Sequence, residues 1–304
     1  MVDRTAIAVA PRSAPYLDEA VARGGGRVVP VEEASALVWT HQRKPEGLGV
    51  LLREHPHLGW VQLPWAGVEP YRDMLDHERT WTNAKGIYAP PVAEMALALL
   101  LAAFRGLGGY ARATTWTREG GRRLAGARLV LLGGGGITRE LLRLLAPFDC
   151  DVTVVRRRDR PLPGAARVVT TDRLHEALAG ADAVVLALPL LEDTRHVLGA
   201  AELALLAPGA VVVNVARGAN VDTDALVAAL RSGQVGGAGL DVTDPEPLPD
   251  GHPLWTLPEV VVTPHTANTQ AMAVPLLGAL IAENVRRWIA GEELRAVVDP
   301  DLGY

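Results

Sequence analysis

Three side chains of different chemistry follow three apolar runs in the second half of this 304-residue chain. Arg217 follows Val213-Asn214-Val215-Ala216, Glu246 lies in Leu240-Asp241-Val242-Thr243-Asp244-Pro245-Glu246-Pro247, and His265 in Val262-Thr263-Pro264-His265-Thr266-Ala267. Each run reads as a strand, so each residue falls at the carboxyl edge of a sheet, where parallel sheets bind ligands. An arginine supplies a fork of donors that holds a carboxylate and polarises a ketone. A histidine gives a proton near neutral pH. A glutamate beside it orients the ring and favours its charged form. Singly, each has an ordinary explanation: a surface ion-pair partner, a turn residue, an exposed acid between prolines. Together, on one sheet, they suit reduction of a 2-keto acid.

A hydride donor has a place as well. Residues 129–132 run into Gly133-Gly134-Gly135-Gly136-Ile137-Thr138, where Gly133 and Gly135 take the first two positions of G-x-G-x-x-G and Thr138 takes the third. The first glycine permits a tight turn and the second lets backbone approach a pyrophosphate. The helix opening at Gly136 and Ile137 offers N–H groups and its positive dipole end. The third glycine normally allows close packing of helix on strand, so Thr138 predicts slightly looser packing. Glycines alone signal only a tight turn. Here a strand precedes them, a helix follows, and a second strand arrives ~20 residues on, as a dinucleotide site requires. That second strand ends on Arg156-Arg157-Arg158, with no carboxylate to bond a ribose. An arginine there pairs with a 2′-phosphate. Arg156 and Arg158 therefore favour NADP(H) over NAD(H).

These residues need a scaffold. Strands are expected at 5–10, 36–40 and 60–63, with helices at 16–22 and 45–54 between them and a long apolar helix at 91–110. A second series follows, with strands at 128–132, 152–155, 183–188, 210–215, 239–242 and 260–263. Its helices fall at 137–145, 172–179, 201–206 and 222–232, the last ended by Gly233. A helix at 271–291 closes the chain. The alternation predicts an α/β protein of two doubly wound parallel-sheet domains, Rossmann-like or flavodoxin-like, with a cleft between them. The nucleotide domain is expected at 98–272. The substrate domain is expected to be discontinuous, 1–97 plus 273–304, if the last helix returns to it.

Composition sets outer limits. Hydrophobic residues at 49 % are too many for a disordered chain. A net charge of −5 argues against a nucleic-acid partner. Cys150 is the only cysteine, which excludes an intrachain disulfide. His41, His55 and His57 lack paired metal-ligand spacing, so no metal is expected. The longest apolar run, 95–104, is about half a membrane span, and the first residues do not read as a signal peptide. A soluble cytoplasmic protein is the expectation. Glu94, inside the apolar helix, suggests a buried ion pair or a functional acid. Trp60, Trp65, Trp81, Trp116, Trp255 and Trp288 read as packing residues.

With these residues in view, the chain resembles the D-isomer-specific 2-hydroxyacid dehydrogenase family. VNVARGANVD, GLDVTDPEPLP and VVTPHTA match the family's arginine, glutamate and histidine signatures in order and spacing. The glycine loop, LPLLEDTRHVLG and ELALLAPGA match too. The likeness spans nearly the whole chain and is strongest over 124–267. It implies Arg217, Glu246 and His265 as the catalytic set, and Leu188, Pro189, Thr194, Val215, Ala216 and Asp241 beside the cofactor. Pro64-Trp65-Ala66-Gly67-Val68 resembles the substrate loop, whose N–H groups at Ala66 and Gly67 would bind a carboxylate as an anion nest. Trp65 would wall the substrate pocket. An arginine in place of the acid is shared with members that resemble NADPH-dependent glyoxylate/hydroxypyruvate reductases. The resemblance implies a homodimer through the 91–110 helix and the arm after it. It also implies reduction of a small 2-keto acid, such as glyoxylate or hydroxypyruvate, to the D-2-hydroxy acid. The alternative is a dinucleotide-sensing corepressor of the same fold, which retention of all three catalytic residues disfavours.

Overall fold

A computed structural model describes residues 3–41 and 45–302. The chain divides into two compact units, Met1–Tyr88 with Thr269–Tyr304, and Ala89–Asn268. In chain order the first unit supplies β1 (Ala6–Ala10), α1 (Pro15–Arg23), β2 (Arg27–Val28), β3 (Ala36–Trp39), α2 (Glu46–Glu54), β4 (Trp60–Gln62) and β5 (Thr80–Thr82). The second unit begins with α3 (Ala89–Phe104), α4 (Leu107–Arg112), β6 (Arg128–Leu132), α5 (Gly136–Leu145), β7 (Asp151–Val155) and β8 (Arg167–Val169). It continues through α6 (Leu174–Leu178), β9 (Ala183–Leu186), α7 (Ala200–Leu205), β10 (Ala210–Asn214), α8 (Thr223–Ser232), β11 (Val235–Leu240) and β12 (Val260–Val262). The last helix, α9 (Gln270–Ala290), belongs to the first unit.

Both sheets are parallel. The first runs β2-β1-β3-β4-β5, a flavodoxin-like order, and the second β12-β11-β10-β9-β6-β7-β8. Successive strand residues face opposite ways, and both faces are covered. In the first unit Ile7, Val38 and Trp60 pack with Leu17 and Val21 of α1 and Leu277, Ile281 and Val285 of α9. Ala8, Leu37 and Val61 pack the other way, with Leu48 and Leu52 of α2. In the second unit Leu129, Leu131, Val185 and Val213 meet α3 and α5, while Val130, Leu132, Val184 and Val212 meet α7 and α8.

Several elements differ from their expected bounds. The unit boundaries fall at 88/89 and 268/269, not inside helices at 97/98 and 272/273, because α3 and α9 each pack whole into one unit. The expected 91–110 helix breaks after Phe104, where Gly106 adopts φ 63°. The expected 172–179 helix is a 3₁₀ turn followed by the short α6. β11 starts four residues earlier than expected, at Val235. Gly236, Gly237 and Gly239 give it no apolar side-chain run to read. Gly237 and Gly239 let α3 press close: a Cβ on Gly239 would lie 2.6 Å from the Leu99 Cβ. β2, β5 and β8, of two or three residues, lie at sheet edges and carry no sequence signal of their length. Glu94 is exposed and not in a buried ion pair, and Trp116 is fully exposed where packing was expected.

A buried polar network ties α9 to the first sheet. Gln62, Thr82 and Asn284 are each fully buried. Trp60 Nε1 donates to Thr82 Oγ1 at 2.8 Å, and Thr82 Oγ1 donates to Gln62 Oε1 at 2.8 Å. Asn284 Nδ2 donates to Gln62 Oε1 and to the Arg295 carbonyl, both at 3.1 Å, and Asn284 Oδ1 accepts from Arg295 N at 2.8 Å. The tail then adds to β5, Val298 N donating to the Trp81 carbonyl. Removing one member leaves the others desolvated and unpaired. Asn284→Leu is expected to lower stability by about 2 kcal/mol, read as a shift in the urea unfolding midpoint.

Candidate active site

The loops leaving β6, β9, β10, β11 and β12 all emerge at one edge of the second sheet, because all seven strands are parallel. The strand order reverses between β6 and β9, and their loops meet there. Gly133 has φ 106°, and a Cβ on it would lie 2.3 Å from the Ala187 carbonyl oxygen. Gly135 faces open space, with nothing within 4 Å of such a Cβ, and no side chain caps α5 behind it. Thr138 does not loosen the turn. It is fully buried, and its hydroxyl donates to the Gly133 carbonyl at 2.8 Å, tying helix to loop.

The other expected cofactor residues border this edge. Arg156 folds over Gly134: a Cβ there would sit 2.8 Å from its Cδ and Nε. Arg158 is exposed on the following loop. Leu188 and Pro189 follow β9, and Val215 and Ala216 are buried at the end of β10. The Thr194 hydroxyl is already engaged, accepting from Leu191 N at 2.7 Å and donating to the Pro189 carbonyl at 2.8 Å.

Two asparagines, unremarked in sequence, pin the Arg217 backbone. Asn214 Nδ2 donates to the Arg217 carbonyl at 2.8 Å, and Arg217 N donates to Asn220 Oδ1 at 3.1 Å. Both amides are buried, and Asn220 Nδ2 also reaches the Thr194 carbonyl at 2.9 Å. Their signal was the three-residue spacing on either side of Arg217, typical of short side chains that bond nearby backbone. The guanidinium is half-exposed, and its Nη1 donates to the Ala216 carbonyl at 2.9 Å. Gly218 had no signal. A Cβ on it would fall 1.9 Å from the Thr243 carbonyl oxygen, so this glycine alone lets the arginine loop lie against the loop that carries Glu246.

Glu246 and His265 come together. A carboxylate only accepts hydrogen bonds, so His265 Nδ1–H donates to Glu246 Oε1, at 2.7 Å. Among the described residues Nε2 has no partner, and the ring is half-exposed. His265 adopts φ 51°, in the left-handed region that few non-glycine residues occupy. Asp241 holds it there. Its carboxylate, 2 % exposed, accepts from Thr263 Oγ1 at 2.5 Å, Thr266 N at 2.9 Å and Ala267 N at 3.0 Å. Its carbonyl accepts from His265 N at 2.8 Å. Asp241, which the resemblance sets beside the cofactor, is bonded to the histidine loop through both oxygens, Oδ2 by the single bond from Ala267 N.

The 64–68 loop, where Ala66 and Gly67 were expected to bind a carboxylate, lies within the first unit. The Pro64, Trp65 and Ala66 carbonyls accept from the Tyr88 hydroxyl, Ala84 N and Asn83 Nδ2, which turns the carbonyls inward. The N–H groups of Ala66 and Gly67 donate to nothing among the described residues. No helix among the described residues is long and apolar enough to cross a membrane, and no three acidic, histidine or cysteine side chains among them could hold a metal ion.

The model of the D-isomer specific 2-hydroxyacid dehydrogenase NAD-binding domain matches residues 97–267. An uncharacterised protein from the proB 3′ region of Corynebacterium melassecola is 37 % identical over 95 % of this chain and 98 % of its own length. A glyoxylate reductase of Thermococcus gammatolerans is 32 % identical over 73 % of this chain and 70 % of its own. The crystal structure of a D-isomer specific 2-hydroxyacid dehydrogenase from Xanthobacter autotrophicus, in complex with NADPH and MES, superposes with a TM-score of 0.82 at 31 % identity, covering 98 % of this chain and 99 % of that one. The chain belongs to the D-isomer specific 2-hydroxyacid dehydrogenase family and is an NAD(P)-dependent oxidoreductase of that class.

The fit of Gly218 against the Thr243 carbonyl leaves no room for a methyl group. Gly218→Ala is expected to cost at least about 2 kcal/mol, measured by urea unfolding, and to lower activity by parting the arginine and glutamate loops.

Proposed function

We propose that this enzyme reduces a small 2-keto acid of the glyoxylate or hydroxypyruvate kind to the D-2-hydroxy acid, with His265 as the acid. The observation that carries the reading is the 2.7 Å pair of His265 and Glu246, held at the edge of the sheet that also bears the glycine loop. The glyoxylate reductase relative supports the enzyme over the sensor reading.

The residues suit a dinucleotide. Gly133 and Gly135 open the turn, and the first N–H groups of α5, at Gly136 and Ile137, are aimed outward for a pyrophosphate. Leu188, Pro189, Val215 and Ala216 flank the nicotinamide end. Arg156, lying over Gly134, and Arg158 favour a 2′-phosphate, hence NADP(H) over NAD(H). When bound, the reduced cofactor supplies the hydride to the carbonyl carbon.

The chain's own groups do the rest. Ala66 and Gly67 offer N–H groups to the carboxylate, and Arg217 polarises the ketone oxygen. His265 Nε2–H gives that oxygen its proton, while Glu246 fixes the ring through Nδ1 and balances its charge. Oxidation runs the same transfers backwards. The reading places the enzyme in the cytoplasm as a homodimer, with α3, α4 and the arm at 113–121 as the shared face. Exposed Leu107, Tyr110 and Trp116 support that choice.

His265→Ala is expected to lower kcat by about 10²–10⁴ while NADPH still binds, as titrated by fluorescence. Arg156→Ala is expected to raise KM for NADPH on the order of tenfold with little change for NADH. A wild-type preference for NADH would overturn the cofactor choice.

A further inference from the structure

Within the first unit a pocket of about 190 Å³ opens at the carboxyl ends of β3 and β4. Tyr16, Trp39, Trp65 and Tyr88 give it aromatic walls, and Ala273 lies on the side closed by α9. The Trp65 and Tyr88 rings stand 6.2 Å apart, tilted by 58°. Among the described residues that line it, none is acidic, basic or a histidine. Two amides line it: Gln270 at the start of α9, and Gln62, which is already committed to Leu63, Thr82 and Asn284. Burial raises both the Tyr16 and Tyr88 hydroxyls above the ordinary phenol range, so these walls are neutral. A charged group entering would lose its water and find no counter-charge. An apolar cavity of ~150 Å³ takes a benzene molecule, so this pocket has room for a phenyl or branched aliphatic group.

The pocket's position says whose group that is. Pro64 and Trp65 line it, and the next two residues are Ala66 and Gly67, whose N–H groups are free of protein partners among the described residues. A carboxylate at Ala66 and Gly67 would therefore be bound one residue along the chain from Trp65, which lines the pocket.

We propose that this pocket receives the side chain of the 2-keto acid, and that the favoured substrate carries a bulky uncharged side chain, phenyl or branched aliphatic. The proposal rests on the 2-keto acid reading and on the carboxylate site at Ala66 and Gly67, and it revises only the size of the preferred substrate. Trp65 and Ala273 are then specificity-determining residues. A single methylene in such a pocket changes kcat/KM by roughly tenfold or more.

The test is a panel of phenylpyruvate, 4-methyl-2-oxopentanoate, glyoxylate, hydroxypyruvate and 2-oxoglutarate, assayed with NADPH and with NADH. At least one of the first two is expected to exceed glyoxylate and 2-oxoglutarate in kcat/KM by about tenfold. Ala273→Met, which narrows the pocket, is expected to lower the ratio of kcat/KM for that acid to that for glyoxylate at least about fivefold. The wild-type panel stands by itself if that variant does not fold. Turnover of glyoxylate or hydroxypyruvate with both bulky acids equal or worse overturns this proposal alone. No turnover of any of the five acids overturns the reductase reading together with it.

Discussion

A buried carboxylate must have its oxygens satisfied, and at Asp241 that requirement shapes the whole histidine loop. Two backbone N–H groups and a threonine hydroxyl from residues 263–267 converge on it. The turn that brings them together forces His265 into a left-handed conformation that a free chain would avoid. The ring is thereby aimed by backbone rather than by its own rotamer freedom. Glu246 needs only to meet Nδ1, and the other nitrogen is left outward. The strain is local, and the Asp241 bonds offset it.

The same logic extends along the sheet edge. Five loops leave five parallel strands side by side, and none is positioned alone. The glycine loop rests on Ala187; Thr194 folds its own loop and reaches Asn220; Asn220 and Asn214 fix Arg217; Gly218 seats that loop on Thr243. Side chains with chemistry stand on backbone held by side chains without it. Such support is what keeps reacting groups near a productive geometry.

This division explains what was legible in the sequence. Arg217, Glu246 and His265 were readable because the residue type carries the chemistry and the apolar runs before them mark strand ends. The two doubly wound sheets were readable from the alternation of those runs with helical patterns. Gly218 was not, and Asn220 only in part, because their work includes contact with segments up to 26 residues away; Asn214 and Asn220 also bond the backbone around Arg217, which their spacing could have signalled. Thr138 was misjudged for a related reason: a hydroxyl in place of hydrogen predicts looser packing only if its partner, the Gly133 carbonyl, is unknown. β11 was set too far along the chain because a strand made largely of glycine has no side-chain pattern.

The split first unit has a consequence for how the chain is born. Its five strands are all synthesised by Thr82, yet Gln62 must wait for Asn284, 222 residues downstream. At about 5–20 residues per second that is a delay of roughly 10–45 s. Meanwhile the face carrying Ile7, Val38 and Trp60 lacks the helix that covers it. The continuous second unit, Ala89–Asn268, is synthesised and can begin to fold before that helix emerges to cover the first sheet. Folding on the ribosome therefore runs against the order of synthesis: the half made first is finished last. Its uncovered sheet is the part of the nascent chain that a chaperone would hold.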